Sequence, residues 1–333
     1  MNTKLLVKAA VVALLITACS SEENAATSTN KNNLARESRQ SPLSVLQDKA
    51  IANAEQRFTF TAGREQISFR SESGVRIDID GNSLTKNGAP VSGTLTLVYV
   101  ELFDYAHMIT SNKTTMGIVE GSNPERPELK PLESGGEFFV NVITEKGESL
   151  DDANFTLTVP VELTGRTDSR MIAWEGIPTD RGDVTWDKDP DGTREEIQVP
   201  VVDGNYILDF GKFGWCNIDI YKAYNGPRTT IKVVVPTQFN FSNSAAYLAV
   251  EGAQNTIAPL DTFDNALNAF SEHYGEVPVG LQGHIIFVSE QGGEWLYAIK
   301  SVTFTTNGTI TINDTDIATA TESSLIASLS GLQ

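Results

Sequence analysis

Short segments of alternating apolar and polar residues constrain the fold of this chain more than any other feature. In the clearest one, apolar residues alternate with polar residues or with Pro160, at Phe155, Leu157, Val159, Val161 and Leu163. This period of two is typical of a half-buried strand, and the proline points to an edge strand or a bulge. Comparable segments occur at 57–61, 66–70, 75–79, 94–102, 137–143, 170–174, 197–202, 205–210, 215–221, 230–235, 283–288, 295–304 and 308–312. Many short strands separated by turn residues predict an all-β fold with few short helices, arranged as antiparallel β-sandwich domains, two in number.

Three helices and one domain boundary are predicted from local patterns. Ser41 and Pro42 can cap and start a short helix, apolar residues recur on one side of 262–273, and a third helix covers 322–329. The turn sequence Asn225-Gly226-Pro227 separates two strand-rich stretches. The predicted organisation is a signal peptide at 1–18, a lipidated cysteine, tether and short helix at 19–56, a sandwich-like domain at 57–226 and a second β-rich domain with short helices at 227–333.

The N-terminal residues predict export and lipid attachment. Lys4 and Lys8 precede an apolar stretch of about ten residues, which suits a secretory signal but is too short to span a bilayer. The following Ile16-Thr17-Ala18-Cys19 resembles the lipobox of bacterial lipoproteins, in which Cys19 is acylated, as with palmitate, and becomes the mature N-terminus. The alternative is an ordinary signal peptide with a chance cysteine. Residues 20–40 are polar and nearly free of aromatics, which is typical of a flexible tether.

The predicted location is the outer membrane, with the lipid holding the protein to it. Glu22 and Glu23 resemble the acidic signal that sends some Bacteroidota lipoproteins to the cell surface. The alternative is that they are two ordinary charges of the tether, which leaves a periplasmic orientation open. Because Cys216 is the second of only two cysteines, acylation of Cys19 leaves no intramolecular disulfide.

Charge excludes one class of partner. The chain has 25 Lys and Arg against 43 Asp and Glu, a formal net charge of -18. A charge of this sign repels the phosphate backbone, so general nucleic-acid binding is excluded. The expected partners are the membrane, through the lipid, and an envelope protein or glycan.

One local motif suggests a metal. Asp187, Asp189 and Asp191 precede Gly192 with the alternate spacing used in calcium loops, where successive carboxylates converge on one ion. The segment differs from an EF-hand loop in two ways. Gln198 occupies the twelfth loop position, where an EF-hand has glutamate, and strand patterns take the place of the flanking helices. A looser Ca²⁺ loop and a polar turn without metal both remain open, and no other cofactor is predicted.

The sequence contains no motif that is typical of a catalytic centre. The sequence contains no G-x-S-x-G, H-E-x-x-H or phosphate-loop pattern, and His107, His273 and His284 have no zinc-ligand spacing. His284 is expected in a strand and His273 at a helix end. Arg181-Gly182-Asp183 spells an integrin-binding tripeptide but is interpreted as a turn. Trp215 is expected in a core, with Asn217 and Asp219 of the same strand needing hydrogen-bond partners.

Two resemblances follow from longer motifs. The segments GTLTLVYVE at 93–101, SNKTTM at 111–116, LESGGEF at 132–138 and GWCNID at 214–219, with Met108, resemble a family of uncharacterised Bacteroidota lipoproteins over most of residues 60–330. The segment GVRIDI at 74–79 with Val91-Ser92-Gly93 resembles ZU5-type β-sandwich modules. The second resemblance implies a protein-interaction or structural fold.

The sequence therefore predicts a lipid-anchored cell-envelope protein that acts as a non-catalytic structural or binding module for protein or glycan. The alternative is a surface-anchored hydrolase acting through Asp and Glu residues, since paired carboxylates can be distant in sequence. An exposed row of aromatics would favour glycan, an unpaired apolar edge strand would favour protein, and a cleft with two carboxylates about 5–10 Å apart would favour the hydrolase.

Overall fold

The computed structural model describes residues 41–63, 65–123, 127–165, 167–188 and 197–332, which belong to one compact unit. Strands account for 48% of the structure and helices for 13%, so the all-β prediction is confirmed. None of the helices in the described ranges is long and apolar enough to cross a bilayer.

The elements follow one another in this order: α1 (Pro42–Ala54), β1 (Gln56–Thr61), β2 (Gln66–Arg70), β3 (Arg76–Asp80), β4 (Thr85–Lys86), β5 (Ala89–Pro90), β6 (Thr94–Leu102), α2 (Tyr105–Thr110), β7 (Met116–Ile118), β8 (Leu129–Thr144), β9 (Phe155–Pro160), β10 (Ile172–Pro178), β11 (Val184–Asp187), β12 (Val201–Val202), β13 (Asn205–Phe210), β14 (Gly214–Tyr221), β15 (Arg228–Thr229), β16 (Lys232–Val234), β17 (Ser244–Val250), β18 (Ile257–Pro259), β19 (Thr262–Asp264), β20 (Ala269–Ser271), β21 (Val277–Pro278), β22 (Gln282–Gln291), β23 (Glu294–Thr303), β24 (Thr309–Thr311), β25 (Ala318–Ala320) and α3 (Glu322–Ser330). Single 3₁₀ turns lie at Val161–Thr164 and Asp314–Asp316.

Two of the predicted helices are present, and both start with a side-chain cap. Ser41 Oγ accepts a hydrogen bond from the Ser44 backbone N–H, and Pro42 opens α1. Thr321 caps α3 in the same way. Each cap satisfies a backbone N–H that has no partner within its own helix.

The first half of the chain forms a sandwich of two sheets. One sheet has the order β1-β6-β8-β14-β10-β11-β7, and the other has the order β12-β13-β9-β3-β2. Both contribute to one hydrophobic cluster, in which Ile77, Phe155 and Leu208 of the second sheet meet Tyr99 and Phe138 of the first. Alternation along each strand sends these residues inward and their neighbours outward.

Part of the larger sheet closes on itself. Strand β7 pairs with β8 as well as with β11, so β8, β14, β10, β11 and β7 form a closed ring. The three tryptophans of a second hydrophobic cluster, Trp174, Trp186 and Trp215, lie on these strands. Trp215 is buried, as predicted. The β11–β7 pair and the β16–β24 pair are parallel, whereas most of the other pairs are antiparallel.

The second half repeats the two-sheet arrangement. Sheets of order β19-β20-β16-β24 and β18-β17-β22-β23-β25 share a cluster that includes Val233, Phe270 and Phe287. The outer face of the second of these sheets is covered by α1, α2 and α3. No pairing of the described strands joins residues before 222 to residues after 227, while α1 packs against both halves. The domain boundary near Asn225 stays a prediction.

The prediction of a helix at 262–273 is wrong. These residues form the hairpin β19–β20. Asp264 accepts hydrogen bonds from the backbone N–H groups of Ala266 and Leu267, and Asn268 takes a left-handed φ of 51°. This turn chemistry outweighs the helical spacing of the apolar residues. His273 consequently lies beyond a strand and not at a helix end.

Candidate functional site

A groove of about 660 Å³ lies at one end of the sheet that contains β2, β3, β9 and β13, where the start of β2 and β9 meets the end of β3 and β13. Four carboxylates line it, those of Glu65, Asp78, Asp80 and Asp209. Alternation explains their position, because Ile77 and Ile79 of β3 point into the core and leave the two aspartates of that strand outside. The groove therefore combines polar side chains of the outer face with three residues of the core, Ile79, Phe155 and Phe210, at the strand ends.

Strand register brings two of these carboxylates to either side of Thr156. Asp78 is opposite Thr156 in the β3–β9 pair, and Thr156 is opposite Asp209 in the β9–β13 pair. Since neighbouring strands lie about 4.8 Å apart, the backbones of Asp78 and Asp209 are separated by roughly 10 Å. Thr156 Oγ1 donates to Asp209 Oδ1 at 2.5 Å, and Arg76 Nε lies 2.8 Å from Asp78 Oδ2.

The groove chemistry suits attraction of positive charge. Its described lining contains no His, Cys, Ser, Lys or Arg, so among these residues only Thr156 offers a hydroxyl. Ile197 adds an exposed aliphatic side chain to the lining, and the exposed valines of the neighbouring edge strand β12 extend the apolar surface of this sheet. A ligand with cationic and aliphatic groups matches this surface.

The predicted calcium loop lies mostly outside the described residues. Asp187 ends β11, whereas Asp189 and Asp191 are outside the described ranges. Cys19 is also outside them, so the lipidation site and the loop both stay predictions. Within the described ranges, no group of three or more His, Cys, Asp or Glu side chains is placed to hold a metal ion.

The tripeptide Arg181-Gly182-Asp183 forms the turn between β10 and β11, in agreement with its interpretation. The Gly182 N–H donates to Thr179 O across this turn. The Asp183 carboxyl points back toward the protein, where Thr114 Oγ1 donates to Oδ1 at 3.1 Å. Burial, opposed by the positive charge of Lys113, raises the pKa of Asp183 to about 6.

The histidines do not converge. His107 Nδ1 lies 2.7 Å from Asp104 Oδ2, and His273 Nδ1 lies 2.6 Å from Asp261 Oδ2. His284 lies in β22, as predicted, with Nδ1 3.2 Å from Ser301 Oγ. Each of these contacts joins a histidine to one polar neighbour on the protein surface.

A second polar region lies in the interior, and the sequence identified only two of its residues, Asn217 and Asp219. Glu137 on β8 and Asn217 and Asp219 on β14 have no exposed surface, and Lys113 is 3% exposed. We call these four residues the interior cluster. Asn217 Nδ2 donates to Asp219 Oδ2 at 2.7 Å, so the predicted need of this pair for partners is met in part by the pair itself.

Burial dominates the electrostatics of the interior cluster. Burial, together with the negative charge of Asp219, raises the pKa of Glu137 well above its usual range. Burial also raises the pKa of Asp219, although hydrogen bonds from Ser134 and Gly135 oppose it. The pKa of Lys113 is lowered because desolvation outweighs the nearby negative charge of Asp183.

Lys113 has other interactions in place. Its Nζ donates to the carbonyl oxygens of Gly182 at 2.7 Å and Ser111 at 3.2 Å, and it lies 5.2 Å from the centre of the Trp215 ring.

The signal that could have identified the interior cluster is the sequence EFFVNV at 137–142, in which Glu137 and Asn141 occupy the same strand face as Phe139.

No model of a protein family matches the chain, and a comparison with curated proteins also gave no match.

Proposed function

We propose that this chain is a lipid-anchored module of the cell envelope that binds a protein partner through the acidic groove and catalyses no reaction. The single observation that carries the proposal is the set of four carboxylates in the groove lining, which outnumber the Arg76 guanidinium paired with Asp78 and leave net negative charge there. The lipobox-like Ile16–Cys19 supports the anchor, and Glu22 with Glu23 supports export to the surface of the outer membrane.

The position of the strongly shifted groups supports binding over turnover. Active sites commonly hold carboxylates with raised pKa values in clefts that a substrate can reach. Here Glu137 and Asp219 have raised pKa values but are enclosed in the core, with no exposed surface. They do not line the groove, so a ligand bound in the groove would not reach them.

Exposed side chains favour a protein over a glycan. Sugar rings commonly stack on exposed aromatic side chains, but the large exposed hydrophobic residues in the described ranges are all aliphatic. Ile197, Val201 and Val202 belong to this set, and the two valines form the short edge strand β12. A basic segment with apolar residues would find complementary charge in the groove and apolar contact beside it.

A hydrolase is the second candidate, and the spacing of Asp78 and Asp209 favours it. Inverting glycosidases hold two carboxyl groups about 6.5–9.5 Å apart, which is close to the roughly 10 Å that separates these two backbones across β9. However, the charge of Asp78 is already compensated by Arg76, and Asp209 accepts from Thr156.

The groove is tested with a fluorescent peptide of alternating lysine and leucine, measured by anisotropy with the purified full chain. We expect saturable binding that weakens with salt, since screening reduces the attraction of exposed charges. The double variant Asp78→Asn, Asp209→Asn should bind the peptide at least several-fold more weakly. The matched control is Glu251→Gln, Glu294→Gln, which removes two exposed charges outside the groove. Equal weakening in both double variants would show diffuse attraction to the acidic protein and would contradict the groove as the binding surface.

A further inference from the structure

Four buried oxygen atoms of the interior cluster have no hydrogen-bond partner. They are both carboxylate oxygens of Glu137, Oδ1 of Asn217 and Oδ1 of Asp219. A buried polar atom without a partner is costly, and native structures contain few of them. Here three adjacent side chains share the same deficiency, which calls for a common physical explanation.

The strands hold these side chains on one face. Glu137 is opposite Asn217 in the β8–β14 pair, and Asp219 is opposite Ser134 beyond a bulge. The bulge places Gly135 and Gly136 against Ile218 alone, so Ser134 and Glu137 can face the same side. Directly opposed residues have Cβ atoms about 4.5–5.5 Å apart, so the oxygens of Glu137 and Asn217 are close neighbours.

The nearby indole and amide donors are already engaged, and the ammonium group of Lys113 keeps one N–H beyond its two hydrogen bonds. Asn217 Nδ2 donates to Asp219 Oδ2, and Trp174 Nε1 donates to the backbone oxygen of Asp219 at 3.1 Å. Trp186 Nε1 donates to Thr114 O at 2.7 Å, and two N–H groups of Lys113 are directed at carbonyl oxygens. All four unsatisfied atoms are oxygens that accept hydrogen bonds. A cation, a proton or a water molecule can satisfy them.

We propose that Glu137, Asn217 and Asp219 bind one divalent cation of the calcium class inside the ring of strands. Charge supports a divalent ion, because Glu137 and Asp219 are two carboxylates and the single positive charge of Lys113 is shared among Asp183, Glu137 and Asp48. Ligand type supports Ca²⁺, which is bound through carboxylate and amide oxygens, accepts a bidentate carboxylate and tolerates irregular geometry, whereas Mg²⁺ requires a near-ideal octahedron. The set contains two carboxylates and one amide, and it is separate from Asp187 and from the groove.

The closed position of the cluster determines when the ion binds. Because the three ligand side chains have no exposed surface, an ion could enter the folded protein only after local opening. Loading during folding is the direct route, and the bound ion would then stabilise the folded state by mass action.

Sensitised terbium luminescence provides the first test. Tb³⁺ replaces Ca²⁺ in oxygen sites, and the indole of Trp174 lies close enough to Asp219 to transfer excitation to an ion bound there. The full chain is unfolded, refolded with Tb³⁺ and excited at the tryptophan band. We expect saturable emission that refolding with excess Ca²⁺ abolishes. Glu137→Gln should lose this emission, whereas Glu251→Gln, an exposed control, should keep it.

The metal content of the wild-type chain is the second test, and it does not depend on the folding of a variant. After refolding with Ca²⁺ and gel filtration, we expect about one retained equivalent per chain by elemental analysis, and a higher melting temperature than after refolding with chelator. No retained calcium and identical melting temperatures would overturn the proposal in favour of a protonated Glu137 or buried water. Retained calcium in Glu137→Gln equal to that in the wild type would assign the ion to a different site and would also overturn it.

Discussion

Gly176 on β10 lies directly against Trp215 on β14. A Cβ atom added to Gly176 would stand 2.5 Å from Trp215 Cβ and 2.7 Å from Val184 Cγ1. Real carbon atoms do not approach this closely, so only glycine fits between the tryptophan and the valine.

The substitution Gly176→Ala should therefore destabilise the protein. We expect a loss of about 1–3 kcal/mol in the free energy of unfolding, since overpacking forces neighbouring side chains or strands apart. Chemical denaturation measures this loss. Gly331→Ala is the control, because its nearest neighbouring atom would be 3.7 Å away. Equal stability of the two variants would contradict the packing described around Trp215.

The cap of α1 leads to a second prediction. Ser41→Ala removes the acceptor of the Ser44 N–H, and we expect a loss of about 1 kcal/mol in denaturant unfolding. Ser44→Ala removes only the hydrogen bond from its own hydroxyl to Ser41 O and should cost less. The opposite order of the two losses would show that the cap does not stabilise α1.

The pair of His107 and Asp104 predicts a defined pH dependence. The hydrogen bond to Asp104 raises the pKa of His107 above 6.5 despite burial. Burial favours a higher pKa for Asp104, but the hydrogen bond and positive charge of His107 outweigh it and lower that pKa below 3.8. The stabilisation by His107 is complete below pH 6.5 and is lost as the pH rises through its raised pKa. The stabilisation by Asp104 is complete above pH 3.8 and is lost as the pH falls through its lowered pKa.

The difference in unfolding free energy between the wild type and His107→Gln should consequently be largest between about pH 4 and 6.5 and smaller on both sides. Since both side chains are partly exposed, we expect at most about 1 kcal/mol. Urea unfolding across this pH range measures it. A difference that grows above pH 7 would have the wrong sign for this ion pair.

The anchor prediction concerns Cys19. Cys19→Ala should abolish the incorporation of labelled fatty acid, because the thiol that accepts the lipid is absent. Labelling in growing cells followed by membrane fractionation makes the measurement, with Cys216→Ala as the matched control that keeps its label. Continued labelling of Cys19→Ala would disprove attachment at this residue.

Local patterns predicted much of the fold because alternation is strong wherever one strand face is buried and the other is exposed. Strands β2, β13 and β14 match the predicted segments closely. Strand β17 was missed because all seven residues from Ser244 to Val250 are buried, so its two faces do not differ in polarity. The start of β8 was missed because it contains Pro131 and the two glycines of the bulge.

Only part of the groove could be predicted from the sequence. Alternation places Thr156 and Asp209 outside, but their position beside Asp78 depends on the order β13-β9-β3, which pairs Thr156 with Asp209, 53 positions away, and with Asp78, 78 positions away. Similarly, Asn217 and Asp219 were recognised as polar residues in a buried strand, whereas their partner Glu137 depends on the pairing of β8 with β14.

The most direct test of the central claim compares binding with turnover. The purified full chain is incubated with panels of envelope proteins, peptides and polysaccharides, and retention and product release are measured on the same samples. We predict saturable retention of a protein partner that the double variant Asp78→Asn, Asp209→Asn weakens, with no product released. Turnover of a polysaccharide or peptide that either single substitution abolishes, with the fold intact, would contradict the account and support a hydrolase.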